Sequence, residues 1–200
     1  MCIRDRVLRA QTWIDPEGNE IETGRIIRFR GNIGSAFIHG IESLIDWNIL
    51  SPDDESKPYK LNVFTNLAVT NSNYFESEIS GVEGNEVEFI PRINLKSGVG
   101  FGYKNLLGNF QYTFLSEQFT DASNAPQNSN DNQSGIIGSI PSYGIADLSM
   151  SYRYKFLKLE TGINNLLDNS YFTRRATGYP GPGIIPSAPR TFYLTLEIKL

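Results

Sequence analysis

The chain has 200 residues, of which 40% are apolar and 12% aromatic, and its 18 basic and 22 acidic residues give a formal net charge of -4. This composition is typical of a folded protein and argues against disorder. The well-mixed charge lacks the basic surface of a nucleic-acid-binding protein, so no nucleic-acid partner is expected. No run approaches the roughly 18 apolar residues that a membrane-spanning helix needs, so any membrane span must consist of strands.

Residues 1–6, Met-Cys-Ile-Arg-Asp-Arg, have neither the apolar run nor the small-residue cleavage site of a signal peptide. They resemble the adaptor-derived stub found at the head of some metagenomic reading frames. We therefore expect an artefactual start over residues 1–6 and one domain over residues 7–200. Because Cys2 is the only cysteine, no internal disulfide or thiolate metal cluster is expected.

The chain is predicted to form eight strands and no helix, because apolar residues recur at every second position and rarely at the spacing of a helix. In chain order the strands are expected at about 25–30, 41–49, 59–70, 92–103, 109–114, 147–154, 157–164 and 189–200. Several runs exceed ten residues, which suits a tilted membrane-spanning strand better than a soluble one.

The last strand shows the alternation most plainly. One face carries Phe192, Leu194, Leu196, Ile198 and Leu200, and the other carries Tyr193, Thr195, Glu197 and Lys199. Such an apolar face points inward in a soluble sandwich, whereas in a membrane barrel it points to lipid and the polar face lines the lumen.

The connections between strands favour the membrane barrel. Short and long connections alternate strictly, the short ones at 51–58, 106–108 and 155–156 and the long ones at 74–88, 121–142 and 168–189. Outer-membrane barrels have short turns at one rim and long loops at the other, whereas a Greek-key sandwich has no reason for this asymmetry. The predicted fold is therefore all-β, an antiparallel transmembrane β-barrel, with a soluble sandwich as the alternative.

Two of the long loops differ in composition. Residues 120–143 are rich in Asn, Ser, Gln and Pro, so we expect a solvated loop without a packed core. Residues 179–186, Tyr-Pro-Gly-Pro-Gly-Ile-Ile-Pro, are stiff and apolar, so we expect this loop to fold against another part of the protein.

Few residues have the types and spacing that catalysis or metal binding requires. Gly98, Gly100 and Gly102 have strand spacing and no following helix, so they predict close approach of another backbone or side chain at a lumen-facing strip and not a phosphate loop. His39 is the sole histidine and is expected to be a rim or packing residue. We expect neither catalysis nor a cofactor.

Charged residues on the polar faces of the strands are expected to line a lumen. They are Glu42, Arg92, Lys96, Arg153 and Glu197. Glu42 and Asp46 share a face but lie about 13 Å apart along a strand, which is too far for paired glycosidase carboxylates.

The adjacent Arg174 and Arg175 are the candidate ligand-binding residues, because two guanidinium groups at the base of a long loop suit a carboxylate-rich anion. The alternative is that they brace the loop against acidic residues such as Asp168. On a regular strand the two side chains point to opposite sides.

Three stretches resemble the C-terminal barrel of TonB-dependent outer-membrane receptors: residues 32–42, residues 162–169 with Tyr171 and Phe172, and the terminal strand. More narrowly, Tyr-Phe-Thr-Arg-Arg at 171–175, the segment 178–186 and Pro-Arg-Thr-Phe-Tyr at 189–193 are similar to receptors of the ferric-citrate type.

This resemblance implies a partial barrel, the last eight or so strands of a 22-stranded barrel that also has an N-terminal plug. It implies a bacterial outer-membrane location, contact with membrane lipid, and TonB-coupled uptake of a ferric chelate such as ferric citrate. Contact with TonB would be made through the N-terminal part of the receptor, which this sequence lacks. Alternatives are an importer of sugar oligomers from the same family, a complete small barrel with a structural or adhesive role, and a soluble β-sandwich that binds sugar or protein.

Overall fold

The computed structural model describes residues 2–8, 13–14, 20–21, 27–50, 58–126, 138–175 and 183–199, with side chains described from residue 34 onward within these ranges. Each regular element in them is a β-strand. The strands are β1 Cys2–Leu8, β2 Trp13–Ile14, β3 Glu20–Ile21, β4 Ile27–Leu50, β5 Tyr59–Ser77, β6 Ile93–Tyr103, β7 Leu106–Leu115, β8 Gln118–Phe119, β9 Ser139–Ile140, β10 Tyr143–Tyr154, β11 Leu157–Asn164, β12 Phe172–Arg175, β13 Ile184–Pro186 and β14 Thr191–Ile198.

Eight of these strands form one sheet in the order β1-β4-β5-β6-β7-β10-β11-β14, and each neighbouring pair is antiparallel. The remaining strands form three small hairpins, β2–β3, β8–β9 and β12–β13. In these parts of the chain no helix is long and apolar enough to cross a membrane. The predicted all-β, antiparallel fold is therefore confirmed.

The sheet has eight strands, the number predicted, but only seven of them lie in the range of residues 25–200 where eight were expected. The strands predicted at 25–30 and 41–49 are one strand of 24 residues, β4. Glycine inside a strand permits close approach of a neighbour, and a Cβ atom on Gly40 would lie 2.4 Å from the carbonyl oxygen of Val69. Glycine therefore continues β4 here and does not end it.

The eighth strand of the sheet is β1, which overlaps the expected artefactual start. It pairs with the first part of β4, from Leu8 opposite Ile27 to Cys2 opposite Gly34. That residues 1–6 are an artefact stays a prediction.

The two faces of the sheet differ sharply in chemistry. One face, called here the apolar face, carries large side chains that are exposed, among them Ile41 at 78% and Phe192 and Leu194 at 71%. Folding in water would bury such side chains, as in a sandwich, whereas a membrane barrel turns them to lipid. The opposite face, called here the polar face, carries amides, hydroxyls and charges.

The strict alternation of connections is confirmed. The strand ends joined by the short connections, 51–58, 104–105 and 155–156, all lie at one end of the sheet, called here the short-turn rim. The strand ends joined by the long connections, 78–92, 116–142 and 165–190, lie at the opposite end, called here the long-loop rim. The prediction placed the β6–β7 turn at 106–108; those residues begin β7.

Among the described residues, the cluster of buried apolar side chains lies at the long-loop rim, where β5 ends. Tyr74, Val82, Val87 and Ala122 form a cluster in which each side chain is at most 8% exposed. The expectation that residues 120–143 form a solvated loop without a packed core is therefore wrong for its described ends, because Asp121, Ala122 and Ile140 are all buried. Small and polar residues can pack when neighbouring loops satisfy their backbone, and Asn85 donates a 2.9 Å hydrogen bond to the carbonyl of Ala122.

Candidate functional site

The register of the sheet places four of the five predicted lumen residues on one face. Glu42 pairs with Ala68, and Lys96 lies between Asn66 and Thr113. Arg153 and Glu197 lie on either side of Lys158. All of these positions belong to the polar face.

Arg92, the fifth, lies just before β6 at the long-loop rim. Its guanidinium forms a salt bridge of 2.5 Å with the carboxylate of Glu86, and its backbone carbonyl accepts a hydrogen bond from the amide of Thr70. It therefore joins the loop 78–92 to the end of the sheet.

A small charge cluster lies on the polar face near the short-turn rim. The ammonium of Lys158 contacts the carboxylate of Glu160 and lies 4.0 Å from that of Glu197. Arg153 is the direct cross-strand neighbour of Lys158. These side chains are partly exposed, so the pairs orient each other more than they stabilise the fold.

Two of the three glycines of β6 allow close approach of a side chain, as the sequence predicts. The ring of Phe64 lies over Gly98, where an added Cβ would be 2.5 Å from the ring. Gly102 is similarly crowded by Leu107, whereas Gly100 has no atom nearer than 3.8 Å to such a Cβ. No phosphate-binding turn is formed, because these residues lie within a regular strand.

One groove on the polar face has hydrogen-bonding groups suited to a polar solute. It has a volume of about 250 Å³, and its polar lining includes Asn109, Ser149, Ser151, Glu160 and Tyr193. The Tyr193 ring packs over Gly162 on β11. The groove therefore combines an aromatic ring with amide, hydroxyl and carboxylate groups.

At the long-loop rim, Asn165 begins the loop 165–190 and fixes it to the sheet. The residue is 3% exposed and has a φ of 52°, a left-handed conformation that asparagine tolerates better than most residues. The backbone N–H of Asn165 donates a hydrogen bond of 2.9 Å to the carboxylate of Asp147. Its side chain donates to the carbonyl of Asn169 and accepts from the Asn169 amide.

Asp168 fixes the far end of the same loop. Its carboxylate accepts a hydrogen bond of 2.9 Å from the amide of Arg190, immediately before β14. The described contacts of Asp168 thus join the two ends of the loop 165–190.

The structure gives the two candidate ligand-binding arginines different surroundings. Arg175 is half-buried, and its Nε and Nη2 atoms donate to the carbonyl of Ser139 at 3.1 and 2.9 Å. Its guanidinium also lies 5.3 Å from the centre of the Phe172 ring, and burial lowers the pKa of the group. Arg174 is exposed. Arg175 therefore braces the β12–β13 hairpin against the β8–β9 hairpin through the carbonyl of Ser139, and its described contacts do not include Asp168.

The described part of the chain contains no group of three or more histidine, cysteine, aspartate or glutamate residues that could hold a metal ion. His39 lies beside Phe37, with 5.0 Å between the ring centres, on the apolar face. This contact agrees with the prediction that His39 is a rim or packing residue.

The chain matches the family model "TonB dependent receptor-like, beta-barrel" over residues 4–166. It belongs to this family. Members of the TonB-dependent receptor family are receptors and transporters of the bacterial outer membrane, and they are not enzymes.

Solved structures of TonB-dependent receptors share the fold. The chain superposes on the ferric citrate transporter FecA in its unliganded form with a TM-score of 0.66 and 24% identity, covering 89% of this chain and 25% of that one. The ferric yersiniabactin receptor FyuA from Yersinia pestis gives 0.65 and 20%, covering 85% and 24%. The siderophore receptor PiuA from Acinetobacter baumannii gives 0.63 and 20%, covering 98% and 25%. A search of curated protein sequences gives no match.

The chain therefore spans about a quarter of the length of the receptors that it matches. At these identities the likeness concerns the fold of the TonB-dependent receptor barrel alone. The partial barrel expected from the sequence is confirmed, and the soluble sandwich is excluded.

Two structural residues of this receptor barrel were not foreseen as such. Ser139 offers Arg175 a backbone carbonyl, which no side-chain pattern reveals. Asn124 exchanges two hydrogen bonds with the backbone of Glu86 and so joins two long loops. Asn124 has a φ of 49°, a left-handed conformation that asparagine tolerates. Its residue type was therefore the only sign of this turn in the sequence.

Proposed function

We propose that the receptor containing this chain takes up a ferric chelate across the bacterial outer membrane, by ligand binding and gated passage and without catalysis. The observation that carries the proposal is the family match over residues 4–166. The exposed apolar face of the sheet supports a location in the membrane, with lipid as its partner. Coupling to TonB would be made through a part of the receptor outside this sequence.

The ligand class that best fits the long-loop rim is a carboxylate-rich chelate such as ferric citrate. Arg174 is exposed on β12, and its neighbour Arg175 holds that hairpin in place. Because the backbone of β12 is held in place, less of the chain has to be ordered when the Arg174 guanidinium binds a carboxylate by two hydrogen bonds. Arg174 is thus the contact residue of the proposal, and Arg175 contributes through the position of β12.

Passage of the ligand would follow the polar face of the sheet. Glu42, Lys96, Arg153 and Glu197 lie on this face and carry both signs of charge. In the proposal they line the lumen, while Arg92 supports the loop above it through Glu86. Because the lumen carries both positive and negative side chains, a charged solute is not held tightly by a surface of a single opposite charge.

Ligand binding by the intact receptor that carries this chain tests the proposal. Arg174→Gln should weaken binding of ferric citrate about tenfold, the effect of losing a charge-assisted hydrogen-bonded contact. Arg153→Gln is the matched control, because it removes the same charge at the opposite rim and should leave binding unchanged. Unchanged ferric-citrate binding in Arg174→Gln would remove Arg174 from the site.

A second candidate substrate is a sugar oligomer, which the groove beside Tyr193 favours. Aromatic rings and hydroxyl, amide and carboxylate groups are the contacts that a hydroxyl-rich solute needs, and the groove has all of them. Uptake measured with ferric citrate and with sugar oligomers side by side separates the two. Competition by sugar oligomers, lost in Tyr193→Ala, would favour the second candidate.

A further inference from the structure

Two tight turns at the short-turn rim repeat one arrangement. Tyr103 pairs with Leu106 around Lys104 and Asn105, and Tyr154 pairs with Leu157 around Lys155 and Phe156. The backbone amide of Arg153 donates to the carbonyl of Asn105 at 3.1 Å, so the two turns are neighbours. Each turn thus has a tyrosine followed by a lysine, and both turns lie at the short-turn rim.

Both lysines have a backbone conformation that is unfavourable for them. Lys104 has a φ of 53° and Lys155 a φ of 52°, in the left-handed region where glycine, asparagine and aspartate are preferred in hairpin turns. Lysine in this region adds strain that glycine would avoid. A strained residue found twice in equivalent turns points to a role of its side chain.

The side chains of these lysines lie toward the apolar face. The ammonium of Lys104 is 5.2 Å from the centre of the Tyr103 ring, and that of Lys155 is 5.4 Å from the centre of the Tyr154 ring. Both rings belong to the apolar face, where they are 44% and 52% exposed. The centre of the Tyr59 ring lies 5.1 Å from the centre of the Tyr103 ring, in the same band of aromatic residues.

The apolar face is uncharged toward the short-turn rim. In residues 41–50 of β4, residues 59–69 of β5 and all of β6, β7, β10, β11 and β14, every aspartate, glutamate, lysine and arginine lies on the polar face. Lys104 and Lys155 therefore add two positive charges at the boundary where the apolar face ends. In a membrane, tyrosine rings at a strand end lie at the level of the headgroups, and the ammonium groups beside them reach the same level.

We propose that these two Tyr-Lys turns bind the phosphate headgroups of anionic phospholipids in the membrane leaflet at the short-turn rim. The tyrosine ring packs against the upper acyl chain and glycerol region, while the lysine ammonium pairs with the headgroup phosphate. A phospholipid fits better than free phosphate because its acyl chains also cover the apolar face. The inference rests on the membrane location in the proposed function, and it adds a lipid preference to that location.

The experiment measures the phospholipid retained by the intact receptor carrying this chain, using native mass spectrometry after reconstitution with phosphatidylcholine and phosphatidylglycerol together. We expect phosphatidylglycerol to be enriched over phosphatidylcholine, and the double variant Lys104→Gln/Lys155→Gln to lose that enrichment by about fivefold per lysine, the fold-change that corresponds to about 1 kcal/mol per cation near a membrane surface. The double variant Lys104→Arg/Lys155→Arg should retain it.

Lys96→Gln is the matched control, because it removes the same charge from the polar face and should leave the enrichment unchanged. Equal enrichment in the Lys104→Gln/Lys155→Gln variant and the parent would overturn the proposal. Loss of bound phosphatidylglycerol to added inorganic phosphate at millimolar level would also overturn it, because the site would then recognise phosphate and not a lipid. A receptor that is monodisperse without detergent would instead refute the membrane location itself.

Discussion

The ring of Phe64 lies directly over Gly98, its cross-strand partner on the polar face. Similar pairs recur in the sheet: the ring of Phe101 covers Gly108 and that of Tyr193 covers Gly162. In each pair the glycine leaves room for a ring that could not lie flat against a larger neighbour. The pairs fix the rotamers of large side chains on strands that have little other packing.

Gly98→Ala is therefore expected to destabilise the barrel by about 1–3 kcal/mol, the usual cost of overpacking. The new Cβ would lie 2.5 Å from the Phe64 ring and 2.7 Å from the carbonyl oxygen of Phe110, and the latter cannot move without disturbing the sheet. Denaturant unfolding in detergent measures the change. Gly100→Ala is the control, since its nearest neighbour is 3.8 Å away. Equal stability of the two variants would show that the Phe64 contact has no energetic importance.

Ile41→Lys should prevent stable insertion into lipid, at a cost of about 2–4 kcal/mol for a charge on the lipid face near the middle of a membrane strand. Leu44→Lys is the matched control. Both side chains are largely exposed, at 78% and 70%, but Ile41 lies on the apolar face and Leu44 on the polar face. Folding into lipid vesicles is the measurement. A stronger defect in Leu44→Lys would reverse the assignment of the faces.

Asn165→Ala should destabilise the start of the loop 165–190 by about 2–3 kcal/mol, because it removes buried hydrogen bonds and places alanine in a left-handed conformation. Hydrogen exchange of the Asn169 amide reports the loss directly. Asn165→Gly separates the two causes, since glycine accepts the backbone conformation but lacks the side chain. Asn164→Ala should have little effect, because its described side-chain contact is a long 3.4 Å bond to Thr191.

Arg175→Met should loosen the contact between the β12–β13 and β8–β9 hairpins by about 1–2 kcal/mol, because two hydrogen bonds from a charged donor to the Ser139 carbonyl are lost. Faster hydrogen exchange at Arg175 and Ser139 is the expected observation. Arg174→Met leaves this contact in place and should leave the exchange rates unchanged. Similar exchange in both variants would mean that the hairpins are held together without the arginine.

Alternation along the sequence predicts well which side chains share a face of the sheet. Side chains on a strand alternate between the two faces, so a shift of one residue would move the whole apolar set to the polar face. Glu42, Lys96, Arg153 and Glu197 all share the predicted face for this reason. The length of β4 could not be predicted, since Gly40 continues a strand here although glycine usually weakens one. The same residue has either effect depending on how closely a neighbour approaches.

The long-loop rim was less predictable because its contacts join residues far apart in sequence through backbone groups. Ala122 is buried against Tyr74, and Arg175 is paired with the carbonyl of Ser139. Composition describes residues 120–143 as polar, but it contains no information about which backbone groups meet. The different roles of Arg174 and Arg175 emerge only when the partner hairpin is in place.

The sheet order begins with β1 and ends with β14, and within the described part of the chain each of these strands has a hydrogen-bonded neighbour on one side only. β1 runs toward the long-loop rim and β14 runs away from it, so β14 of one molecule is oriented to pair antiparallel with β1 of a second. Each such pairing would leave another open edge. Produced by itself, this polypeptide is therefore expected to form ribbon-like polymers of growing length. Successive molecules would be joined by main-chain hydrogen bonds between β14 of one and β1 of the next.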